Sequence, residues 1–120
     1  MSGCANAPSA CAPGLRAMTR LELFFGRNVM DREAVSDQDW KRFLDEEITP
    51  RFPDGFTVLD TYGQWRNANT IAMERGKELI VIAPGSTSDV ARANAIRDAY
   101  KRLFMQESVL FTATPACASF

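Results

Sequence analysis

The chain contains no histidine. That absence excludes a Ser-His-Asp or Cys-His nucleophilic centre and any zinc, copper or non-haem iron site built on imidazole. Acid–base work near neutral pH is left to a Glu, Asp, Lys or Tyr whose pKa the fold displaces. Cysteine is scarce too. Cys4, Cys11 and Cys117 have no CxxC spacing, so no thiolate metal motif is present. No cofactor is expected, and a site would be cofactor-free or take an externally supplied ligand. Neither sign of charge is in excess. Fourteen Lys and Arg against fifteen Asp and Glu leave a formal net charge of -1, which argues against nucleic acid or an anionic membrane held by bulk charge. No apolar run approaches the length needed to cross a bilayer.

What is present is ordinary for a soluble globule: 120 residues, 46% hydrophobic and 24% charged. This is the size of one domain with its own core. The start, MSGCANAPSACAPG, is made of small residues, Pro and Cys, and reads as a disordered leader over 1–17 ahead of a single domain over 18–120. Ser2-Gly3-Cys4 resembles the end of a bacterial lipoprotein signal, which makes Cys4 a lipidation candidate, although the charged and apolar regions that precede such a cysteine are missing. A cytosolic protein with a frayed, Cys-containing tail is the alternative. In an exported protein Cys11 and Cys117 would be able to pair and pin the leader to the C-terminal tail; the other reading is two free thiols.

From Met18 to Arg27 apolar and polar residues alternate, the signature of a half-buried strand with Leu21, Leu23 and Phe25 on one face. Ser36 with Asp39 three positions on is a capping-box signal, and Trp40, Phe43, Leu44 and Ile48 follow at helical spacing until Pro50 and Pro53. A second strand is expected over Phe56–Arg66, an Asn67-Ala68-Asn69 turn, and a third strand over Thr70–Ala83 with a bulge at Gly76. Pro84-Gly85 and a serine cap introduce a second helix burying Val90, Ala93, Ile96, Tyr100 and Leu103. A last strand runs over Ser108–Thr114, ended by Pro115. The order β-α-β-β-α-β predicts an α+β, ferredoxin-like domain: an antiparallel sheet with two helices on one face and the other face open.

The open face draws the candidate site. If Leu21, Leu23 and Phe25 face the helices, Arg20, Glu22 and Phe24 face outward, and Glu22 needs a partner, for which Arg20, Arg75 and Lys77 qualify. A bulge near Gly63 would bring Tyr62 and Trp65 into one chamber, joined by Gln64, Arg66 and Glu74. In one reading Glu22 exchanges protons with a substrate while Tyr62 and Gln64 hold a developing oxyanion, and Arg20, Phe24, Trp65, Arg66 and Glu74 line the ligand site. In the other, Glu22 pairs with an arginine and the aromatics fill a dimer interface.

Four segments carry a family resemblance: Thr19-Arg20-Leu21-Glu22-Leu23-Phe24-Phe25-Gly26, Thr49-Pro50-Arg51-Phe52-Pro53-Asp54-Gly55, Gly63-Gln64-Trp65-Arg66 and Gln106-Glu107-Ser108-Val109-Leu110. Through them residues 19–117 resemble DUF3574, a family of small bacterial secreted or lipoprotein-type domains. The resemblance implies export and a single small domain, and brings no activity with it. The expectation is therefore a periplasmic or extracellular domain, lipid-anchored in its native form, that binds a small molecule on its open sheet face as a homodimer. A cofactor-free hydrolase, lyase or isomerase and a structural envelope protein are the alternatives.

Overall fold

A computed structural model describes residues 11–29, 32–33 and 35–120. Cys4 lies outside the described residues. The elements are β1 (Arg16–Gly26), two short strands β2 (Asn28–Val29) and β3 (Arg32–Glu33), α1 (Asp37–Phe43), β4 (Thr57–Asn67), β5 (Thr70–Ala83), α2 (Thr87–Phe104) and β6 (Leu110–Ala118). One wide π-helical turn, Leu44–Ile48, extends α1. The main sheet has the order β4-β5-β1-β6 with every neighbour antiparallel, which is the ferredoxin-like arrangement.

Period two in β1 places Leu21, Leu23 and Phe25 under the helices, none more than 1% exposed. Trp40 and Phe43 of α1 and Ala93, Ile96 and Tyr100 of α2 close over them. Phe25 sits edge-on to Trp40, Phe43 and Tyr100, with ring centroids 4.8–6.0 Å apart. The Tyr100 hydroxyl donates to the carbonyl oxygen of Gly26 at 2.6 Å, and burial raises its pKa. Both helices start at full capping boxes, Ser36 with Asp39 and Ser86 with Asp89.

Asp89 is buried, and one of its carboxylate oxygens accepts from the backbone N–H of Gly85 at 2.9 Å and of Ser86 at 3.1 Å. Burial pushes its pKa up, but those two donors and the paired Arg92 outweigh it, so the net direction is down. Asp89→Ala is expected to cost about 2–3 kcal/mol at pH 7, because it strands donors that faced a charge. A depressed folded-state pKa contributes stability above the unfolded value, about 3.9, and that contribution is lost as pH falls through the folded value. Urea unfolding of both proteins across pH should show the two stabilities converging on the acid side.

Several expectations are corrected. Residues 11–17 are part of the fold: Cys11 is bonded to Cys117 with Cα atoms 5.6 Å apart, Leu15 closes a turn onto Ala12, and Arg16 already pairs with Ala118. Pro115 does not end the last strand. It lies opposite Thr19 on an edge strand, where a missing N–H is tolerated. In the hairpin, Asn67 pairs with Thr70, and it is Ala68, not an asparagine, that takes the left-handed backbone, φ 51°. Val90 and Leu103 are exposed, at 36% and 52%, and Ala99 takes a place in the buried stripe of α2. Neither Gly63 nor Gly76 is bulged, since the β4–β5 register runs unbroken from Thr57↔Ile80 to Asn67↔Thr70.

Candidate functional site

The unbroken register decides which face each β4 residue takes. Leu79 pairs with Leu23 on one side and Val58 on the other, so Val58 and its alternates Asp60, Tyr62, Gln64 and Arg66 leave the sheet on the helix side. Leu59, Thr61, Gly63 and Trp65 leave it on the open side, with Phe24, Glu22 and Arg20 of β1 and Glu74, Gly76 and Glu78 of β5. The set proposed from sequence therefore splits. Phe24, Trp65 and Glu74 come together, and Arg20 and Glu22 lie on the same face. Tyr62 reaches the lining of the cavity they form, but alternation sends its side chain, with those of Gln64 and Arg66, to the helix side. They project, exposed, from the far side of the β4–β5 hairpin. Tyr62 and Gln64 consequently cannot serve as oxyanion donors to a group held by Glu22.

On the open face, Phe24, Thr61, Trp65 and Glu74 surround a cavity of about 250 Å³ floored by Gly26, Gly63 and Gly76. The glycines are what make it. A Cβ at Gly26 would stand 2.7 Å from Oε1 of Glu74, so that carboxylate lies across bare backbone. It is fixed there by the Asn28 N–H, which donates to Oε2 at 3.3 Å. A Cβ at Gly63 would stand 3.3 Å from the indole nitrogen of Trp65, which folds over that residue in the same way. At Gly76 the constraint is the backbone itself: a Cβ would approach the Phe25 carbonyl oxygen to 2.6 Å. Gly26, Thr61, Gly63 and Gly76 were missed as site residues. The available signal was a glycine inside each of three strands, which marks close approach as readily as a bulge.

Beyond Phe24 lies a pair of carboxyl groups, Glu22 and Glu78. They are hydrogen-bonded to each other, and Arg20 donates to Glu22 at 3.3 Å. The bond from Glu78, then that from Arg20, lowers the pKa of Glu22. The bond to Glu22, then burial, raises that of Glu78. Glu78 faces Phe24 directly across the β1–β5 ladder and was not anticipated.

A larger cavity, about 430 Å³, opens on the helix side among Arg27, Asp37, Asp60, Arg75 and Lys77. Its charges are largely paired off: Arg27 with Asp37 at 2.9 Å and Lys77 with Asp60 at 2.5 Å. Among the described residues no group of His, Cys, Asp and Glu is placed to hold a metal ion, and no helix is long and apolar enough to cross a membrane.

Fold and site together define a ferredoxin-like α+β domain with a glycine-floored pocket on its uncovered sheet face. The chain belongs to the family described as "Protein of unknown function (DUF3574)", whose sequence profile matches residues 20–120. No curated protein matches it in sequence. Among solved structures, it is similar to a phage SAM lyase in complex with S-methyl-5'-thioadenosine: TM-score 0.66 and 16% identity, over 96% of this chain and 97% of that one. It is also similar to CutA from Synechococcus elongatus complexed with a Bis-Tris molecule: TM-score 0.55 and 11% identity, over 88% of this chain and 87% of that one. At these identities the likeness is one of fold.

Proposed function

We propose that this chain binds a small organic molecule in the open-face pocket, packed against Phe24 and Trp65 and anchored by Glu74. The observation that carries the reading is the glycine floor. Three strands give up a side chain at adjoining positions, and a carboxylate and an indole fold into the space. The complexes of the two neighbours supply the first molecules to try, S-methyl-5'-thioadenosine before Bis-Tris. Ligand-observed NMR on the intact chain tests the reading; binding that Phe24→Ala and Trp65→Ala leave intact would refute it.

The domain acts as an exported homodimer in this proposal, with the open faces of two copies meeting. Leu59, Trp65 and Leu110 are 46%, 50% and 48% exposed on that face, and no helix covers them. Burying a side chain of this size is worth about 1.5–3 kcal/mol, and a two-fold dimer is the commonest cover. The Cys11–Cys117 bond fits an oxidising compartment, periplasmic or extracellular, whether or not Cys4 carries a lipid. Light scattering at tens of micromolar is expected to give twice the chain mass, and Leu59→Asp with Leu110→Asp to give a monomer. A monomeric parent chain would remove this part of the proposal.

The Glu22–Glu78 pair favours a second reading, a cofactor-free enzyme in which these adjoining carboxyl groups on the open face carry the proton transfer. Turnover that Glu78→Gln leaves unchanged would eliminate it.

A further inference from the structure

We infer that the open-face pocket selects an organic cation: a quaternary ammonium, a sulfonium or a protonated amine with apolar substituents. The inference rests on the ligand-binding reading of the same pocket and specifies its ligand class. The charge of the lining carries it. Glu74 is the sole charged side chain among the described residues that line the cavity. Its carboxylate is half-buried, and no Lys or Arg among the described residues forms a salt bridge with it. One backbone N–H occupies Oε2, while Oε1 lies over the bare floor at Gly26. On β5 the cations Arg75 and Lys77 alternate with Glu74 and leave the sheet on the helix side. Arg20 is engaged by Glu22, and Lys77 is engaged by Asp60 on the helix side. An anion entering the cavity would meet the Glu74 carboxylate, which accepts a hydrogen bond from the Asn28 N–H.

The rest of the lining suits a cation clothed in carbon. Phe24 and Trp65 line it with aromatic rings, a type whose face quadrupole attracts positive charge, most strongly for Trp. Thr61 supplies a hydroxyl from the open face of β4, and the glycine floor lets methyl or methylene groups lie against backbone. A cavity of about 250 Å³ has room for a trimethylammonium-sized head and a short substituent. Electrostatic attraction to Glu74 and the ring faces would set the preference for charge, and the apolar walls would set the preference for alkylated over bare ammonium.

Choline and its uncharged carbon isostere, 3,3-dimethylbutan-1-ol, separate charge from shape. Calorimetric titration of the full chain at pH 7 is expected to show choline binding at least roughly tenfold more tightly. E74Q should bring the two affinities together, with an unchanged far-UV spectrum showing that the variant folds. Equal affinities in the parent chain, or tighter binding of the alcohol, would overturn the cation inference while leaving the pocket reading in place. Binding of neither at tens of millimolar would overturn the pocket reading and this inference with it.

Discussion

Removing the Cys11–Cys117 bridge, by reduction or as C11A/C117A, is expected to lower the free energy of unfolding by about 4 kcal/mol. The two cysteines stand 106 positions apart, so the bond closes nearly the whole chain and restricts the unfolded ensemble as strongly as one bridge can. The native chain also gains from it. The bond ties the segment ahead of β1 to the far end of the edge strand β6, where Pro115 offers no N–H to the ladder. For a domain of this size the loss corresponds to a fall in Tm of roughly 15 °C. Guanidinium unfolding with and without reductant measures it. The denaturant slope should steepen on reduction, because the freed unfolded chain exposes more surface. A loss below about 1 kcal/mol would contradict a bridge that acts by restricting the unfolded chain.

Trp65→Ala is expected to weaken ligand binding by about 2 kcal/mol, roughly thirtyfold, while leaving the helix-covered core of each chain intact. The side chain is half exposed and lies outside the buried core, so its loss creates no cavity under the helices. Its indole is one wall of the pocket, held close over Gly63. Gly63→Ala makes a sharper comparison. The added methyl would stand 3.3 Å from the indole nitrogen and would have to displace the ring without removing it. Affinity should fall for this variant too, by less than for Trp65→Ala. Calorimetry against the same probe ranks the three proteins; Trp65→Ala binding as tightly as the parent chain would remove Trp65 from the site.

The fold was legible where local rules agreed with one another. In β1 strict alternation made Leu21, Leu23 and Phe25 the buried face without ambiguity, and all three are sealed from solvent. Ser36 and Asp39 announced a helix start that the capping hydrogen bonds reproduce in both directions. Strand two was a different case. Val58, Asp60, Tyr62 and Gln64 alternate against Leu59, Thr61, Gly63 and Trp65, and each set mixes apolar with polar residues. Periodicity alone could not orient it. The orientation is set by a tertiary contact, Val58 against the core beside Leu79, and it separates Tyr62 and Gln64 from Glu22.

The same limit explains the site. Phe24, Trp65 and Glu74 were found because each is conspicuous in type, a large ring or a charge within a strand. The glycines beneath them were read as irregularities of single strands. What makes them a floor is that Gly26 and Gly76 face each other across the β1–β5 ladder while Gly63 faces Glu74 across the β4–β5 ladder. That is a property of registers, and registers depend on pairings between distant segments. Glu78 was passed over for a related reason. It precedes the apolar run Leu79-Ile80-Val81-Ile82 and acquires its role only by lying beside Glu22 on the assembled face.

Two tryptophans, one buried and one in the pocket, allow the central claim to be tested within a single spectrum. Trp40 is 5% exposed under the helices, and Trp65 is 50% exposed on the open face. Choline, 3,3-dimethylbutan-1-ol and S-methyl-5'-thioadenosine are added in turn to isotope-labelled protein, and the two indole N–H resonances are followed to saturation. A probe that binds is expected to move the Trp65 resonance and leave that of Trp40 in place. A bound probe that moves Trp40 alone, or neither indole, would contradict a ligand site on the open sheet face.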